Sequence, residues 1–166
     1  MNILEFEPLR RIRQNHALEH ATIHLLTRSD PSRHFVGRST PRGFYIYGQV
    51  DTQTVADAVS EALARLRAGE SELAIHPRCG TGIATTGILA GLAAFATLGL
   101  RRKRSLADLP AVITATTLAA LVAQPLGLAV QQQFTTDANV EGVQIARVER
   151  LEAGRMVAHR VILERD

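Results

Sequence analysis

GTGIATTGILAGLAAFATLGL, from Gly80 to Leu100, and LPAVITATTLAALVAQPLGLAV, from Leu109 to Val130, decide how this chain is read. Cys79–Leu100 is 22 residues without a charge, and Leu109–Thr136 is 28 more. Roughly 20 helical residues at 1.5 Å rise cover a ~30 Å hydrocarbon core, so each run is long enough to cross a bilayer. Neither run has the polar face at period 3.6 that a surface helix of a soluble protein needs. About 116 residues remain outside the runs, too few to wrap two helices that are apolar all round. The expectation is a transmembrane hairpin over residues 79–136, with the lipid bilayer as its partner. Pro125 sits inside the second span and is expected to kink it. Gly87 and Gly91 form a GxxxG in the first, a face for close helix pairing within the hairpin or for a homo-oligomer.

The two spans explain an otherwise ordinary composition. The 166 residues are 46% hydrophobic and 4% aromatic, and the mean hydropathy of +0.03 averages lipid-like runs with polar flanks. Of the net charge of +3, the connection Arg101–Asp108 supplies all: four basic residues against one acid. The remainder balances, so the basic pI requires no nucleic-acid surface and nucleic acid is not an expected partner. One cysteine excludes an internal disulfide framework. Glu5 and Glu7 near the start, with both apolar runs internal, argue against a cleaved signal peptide. The basic connection points to the cytoplasm by the positive-inside rule. A 78-residue N-terminal portion would then have to cross first, so the sidedness stays open. An even number of spans puts both polar portions on one side.

The polar portions, residues 1–78 and 137–166, read as one α+β domain interrupted by the membrane hairpin: a small sheet with two amphipathic helices. Pro8 to about Arg28 reads as a helix with Pro in its first turn. Gly43–Val50 reads as a strand, and Thr52–Ala68 as a helix with the stripe Val55, Val59, Ala62, Leu63, Leu66. Leu73–His76 reads as a short strand. Val140–Leu151 and Arg155–Glu164 read as a hairpin turning at Glu152-Ala153-Gly154, too small to stand alone and expected to rejoin the N-terminal sheet. Arg38–Arg42 reads as a basic, turn-like loop, and Tyr45 and Tyr47 share one strand face.

The first helix carries the chemistry. At about 100° per residue, His16, Glu19 and His20 fall within the stripe of Leu9, Ile12 and Ile23, with His24 at its edge. Ionisable groups on an inward face are costly unless bound, about 1–3 kcal/mol for each unpartnered polar group. Imidazoles at i and i+4 can grip one metal ion, with Glu19 placed to activate a metal-bound water. A third ligand is expected from His76 or Asp137, with Cys79 a weaker choice, since an antiparallel hairpin brings the ends of the spans side by side. Each also has a plainer reading: a strand end for His76, a turn for Asp137, a small buried hydrophobe for Cys79.

The string His16-Ala17-Leu18-Glu19-His20 is HxxEH and is similar to the motif of the inverted-motif zinc peptidases. That resemblance implies His16 and His20 as zinc ligands and Glu19 as the catalytic glutamate. It covers five residues, and the distant glutamate that completes those sites has no counterpart here. Arg13–Thr22, Gly43–Gly48 and His76–Thr81 together resemble the signature blocks of a prokaryotic family known as domain of unknown function 6391. This resemblance runs through nearly the whole chain and implies a small bacterial plasma-membrane protein with no established activity. Arg78 departs from the Asn usual after His-Pro in that block. Two functional readings follow. One is a membrane-associated, zinc-dependent hydrolase acting on a protein or peptide at the lipid–water boundary. The other is a non-enzymatic membrane scaffold or assembly factor whose His/Glu cluster is structural. Haem ligation or metal sensing by the histidines is a third.

Overall fold

Apolar residues at helical spacing and β-branched or aromatic runs between glycines set the elements of the computed structural model. Residues 4, 6–99, 105–153 and 156–165 are described. Glu5, Leu100, the basic residues 101–104, Gly154 and Arg155, which carry some of the expectations above, lie outside the described residues. The chain divides into two units, residues 1–76 with 132–166, and residues 77–131.

In the first unit, α1 (Glu7–Ser29) opens with Pro8 in its first turn and Glu7 near the positive end of its dipole. β1 (Val36–Thr40) and β2 (Gly43–Tyr47) form a hairpin around Pro41-Arg42. The Arg38–Arg42 segment is thus an edge strand plus its turn, where the sequence suggested only a loop. Its two-residue spacing of Val36, Arg38 and Thr40 hid a half-solvated strand behind polar residues. Gly43 has φ +140°, and a methyl there would run into the Val161 carbonyl, so glycine is what lets β2 lie against the neighbouring strand.

α2 (Thr52–Arg67) starts at Asp51, whose carboxylate accepts the Thr54 N–H at 2.8 Å, a standard N-cap. β3 (Val143–Ala153) and β4 (Met156–Arg165) pair with one irregularity between Ile145 and Arg147. The sheet runs β1-β2-β4-β3, antiparallel throughout, so the last strand in the chain sits beside the second. The polar stretches on either side of the apolar pair therefore share one sheet.

α1 and α2 pack on each other and cover one sheet face, α1 over β1 and β2 and α2 over β3. Leu18, Leu26, Phe44, Ile46, Val59 and Val161 form the centre of the core. The opposite face carries Tyr45 and Tyr47, stacked at 6.2 Å, with Arg160 beside Tyr45. The α1 stripe expected from Leu9, Ile12 and Ile23 is only part of what is buried. Ala17, Leu18 and Ala21, on another side of the helix, are fully enclosed. α1 meets α2 and the sheet at once, so a single-face reading underestimates it.

Leu73–His76 is not a strand. Ser71–Ala74 is a turn of 3₁₀ helix, and the chain is extended only from Ile75. The carbonyls of Ala74 and Ile75 accept hydrogen bonds from histidines of α1, so they are not offered to a sheet neighbour.

In the second unit, α3 (Gly80–Gly99) and α4 (Leu109–Val130) pack along each other, and a π-turn over Gln131–Thr135 directly follows α4 in the chain. Both helices are long and apolar enough to cross a membrane by length and composition. Their large side chains point outward, with Ile83 72% and Phe95 74% exposed. The close approach between them is at Gly82 and Gly127, where a methyl on Gly127 would stand 3.0 Å from the Gly82 Cα. Gly87 and Gly91 have nothing within 4 Å of where a Cβ would be, so the GxxxG face is not the contact inside this pair. Pro125 lies inside α4, which runs on to Val130.

His159, on the core face of β4, is fully enclosed. Its Nε2 lies 3.3 Å from the Thr52 hydroxyl, and its Nδ1 has no hydrogen-bond partner. Burial pushes its pKa below the ordinary imidazole value; Arg150 adds to this and Asp51 opposes it. The fold therefore favours the neutral ring. That stability is present above the unfolded value of about 6.5 and is lost as the pH falls below it. Thermal unfolding of the chain is expected at a lower temperature at pH 5.5 than at pH 7.5. His159→Leu, which fills the site without an orphaned nitrogen, reduces that difference; an unchanged pH dependence in the variant would assign the effect elsewhere.

Candidate metal centre

Helical geometry places His16, His20 and His24 on successive turns of α1. The rings of His16 and His20 are 4.2 Å apart between centroids. His76, directly after the 3₁₀ turn, lies 5.8 Å from His20 and 4.8 Å from His24. Four imidazoles thus run in sequence: His16, His20, His76, His24. His20 is buried and the other three are half-buried.

Backbone carbonyls fix which nitrogen of three of these rings holds the proton. His16 Nδ1 donates to the Thr135 carbonyl at 2.9 Å, and His20 Nδ1 donates to the Ala74 carbonyl at 2.7 Å. A carbonyl can only accept, so each ring is the Nδ1–H tautomer with its lone pair on Nε2. This is the arrangement in which a second partner orients an imidazole for a metal. His24 is reversed: its Nε2 donates to the Ile75 carbonyl at 2.8 Å, which leaves the lone pair on Nδ1.

Cys79 stands three residues beyond His76, and three Cα steps span at most about 10 Å. It is buried at the start of α3, where its Sγ accepts the Thr81 N–H at 3.4 Å. By donor chemistry His16 and His20 are potential metal ligands, while Cys79 belongs to the second unit.

The two expected carboxylates are engaged elsewhere. Glu19 is 4% exposed. It turns toward β1, where its Oε2 accepts from the Ser39 hydroxyl. Gly37 makes room for it, since a methyl there would overlap the Glu19 carboxylate. Asp137 pairs with Arg10 at 3.8 Å and accepts the Asn139 N–H at 3.0 Å. His24 enters the row although the sequence put it only at the edge of the helix stripe; its i+4 spacing from His20 was the available signal. His159 gave no comparable signal, being one alternating position in a strand.

A four-stranded antiparallel sheet under two helices, with a row of histidines and two long apolar helices, defines the class: a mixed α+β protein with a potential metal-binding cluster. Residues 11–148 match the family described as Domain of unknown function (DUF6391), and the chain belongs to it. It is 45% identical over 135 residues to an uncharacterized protein of Picosynechococcus sp., a match covering 75% of this chain and 65% of the relative, less than two thirds of that protein's length. No solved structure matches the chain.

The contact between Glu19 and β1 can be tested without any metal. Ser39→Ala removes the donor to a buried carboxyl and is expected to cost about 1–3 kcal/mol. Gly37→Ala forces the carboxyl off the strand, with a loss of about 1–3 kcal/mol from overpacking. The double variant, read by denaturant unfolding, should lose less than the sum, because both act on the one side chain.

Proposed function

We propose that this protein is a membrane-anchored metal-binding protein. Its centre takes zinc, or a similar borderline divalent ion, through Nε2 of His16 and His20. The observation that carries the reading is the pair of Nδ1–H to carbonyl hydrogen bonds, which turn two adjacent imidazoles into oriented ligands. Zinc held by protein ligands with a position left to water would supply a nucleophile near neutral pH. The HxxEH spacing extends the proposal to hydrolysis, of a peptide substrate at the lipid–water boundary. Glu19 is the base in that extension and would have to give up Ser39 to serve. The same hydrogen bond favours the second reading, in which Glu19 holds α1 to β1 and the protein is a membrane scaffold whose metal centre is structural.

The outward-facing apolar side chains of α3 and α4 support the anchoring. The full-length protein is expected in the membrane fraction and resistant to extraction with alkaline carbonate; release by carbonate would remove the anchor from the proposal.

Protein purified in detergent without chelators is expected to carry about one zinc per chain by metal mass spectrometry. His16→Gln with His20→Gln should abolish it. Wild-type protein that holds no metal, even after zinc is supplied, would overturn the reading. Glu19→Gln separates the two roles of the carboxyl. Retained metal with lost peptide hydrolysis supports the hydrolase, whereas lowered stability with any activity unchanged per folded molecule supports the scaffold.

A further inference from the structure

The row of imidazoles is longer than one metal ion needs. His76 and His24, at the far end from His16, have their rings 4.8 Å apart in an edge-to-face arrangement, closer than His76 is to His20. Both are half-buried, whereas His20 is enclosed. The 74–76 stretch meets α1 residue by residue. Ala74 accepts from His20, Ile75 accepts from His24, and the His76 ring lies against both.

The hydrogen bonds give the two ends opposite polarity. His20 is held by Nδ1 and presents Nε2, while His24 is held by Nε2 and presents Nδ1. A ring held by Nε2 has its lone pair close to its own backbone. The lone pairs of His20 and His24 are thus on different atoms and at different depths, which suits two separate ions better than one shared ion. Two imidazoles with solvent filling the other positions make a weak site for a borderline divalent cation.

We propose that His24 and His76 form a second, solvent-accessible site for a divalent transition metal, weaker than the His16/His20 centre. The site rests on its own pair of rings, although its place as the outer of two depends on the inner centre proposed above. Its chemical consequence is a stepping position: an ion held at the half-buried pair is one imidazole away from the enclosed His20.

The test is a zinc titration of the full chain in detergent, with a chromophoric chelator as competitor. Wild-type protein is expected to take up two equivalents, the second at least tenfold more weakly than the first. His24→Gln keeps an amide N–H for the Ile75 carbonyl and removes the Nδ1 donor. It should lose the weak equivalent alone, and His76→Gln should do the same. The His16→Gln/His20→Gln double variant should lose the tight equivalent and keep the weak one. If His24→Gln and His76→Gln both retain two equivalents, or wild type takes up only one and neither variant alters it, the outer site is refuted and the inner centre stands. If the double variant retains both equivalents while His24→Gln loses one, the inner centre falls and the outer site stands. Circular dichroism of each variant confirms folding. Should His24→Gln not fold, His76→Gln decides the same question.

Discussion

The burial of a polar helix is the constraint on which the rest of the first unit depends. α1 carries Arg13, Gln14, Asn15, Glu19, His20 and Thr22 into the interior beside Ala17, Leu18 and Ala21. Each buried polar group needs a partner, since an orphan costs about 1–3 kcal/mol. Most partners here are backbone carbonyls from distant parts of the chain. Arg13 donates to Thr136 at 3.0 Å, Gln14 to Asn139 at 2.6 Å and Asn15 to Thr40 at 2.7 Å. His16 and His20 follow the same rule with Thr135 and Ala74. Arg165, near the C-terminus, returns to Asn15 at 2.6 Å. The helix is thereby tied to the hairpin β1–β2, to the 3₁₀ turn and to the segment that leads into β3.

The candidate centre grows out of these ties. A carbonyl that satisfies one nitrogen of an imidazole also fixes the tautomer and the direction of the other. The bonds that hold α1 in place are therefore the bonds that aim its histidines. Glu19 shows the other side of this economy. The residue that the HxxEH spacing assigns to chemistry is committed in this structure to a hydroxyl on β1, across a strand position that only glycine leaves open.

The apolar pair follows different physics. α3 buries none of its residues and α4 only Ala123 and Gly127, so a water-soluble reading leaves their large side chains without partners. By length and composition both helices could span a membrane. The glycines that matter inside the pair are Gly82 and Gly127, where backbone meets backbone, and not the GxxxG that the sequence displays most plainly.

Local physics made much of this legible in the sequence. The apolar runs, α1 with its proline start, α2 with its apolar stripe and the aromatic strand β2 each depend on neighbours in the chain, and their positions agree with the structure to within a few residues. The i, i+4 histidines were likewise visible, because helix geometry alone puts them on one side. What only the tertiary structure decided depends on partners far apart in sequence. It made β1 a strand because β2 lies beside it, and turned 71–74 into a 3₁₀ turn because its end meets α1. It aimed Glu19 at Ser39 and brought His76 between His20 and His24. A residue's own periodicity says which way it faces on its element; only the packing of elements says what it meets there.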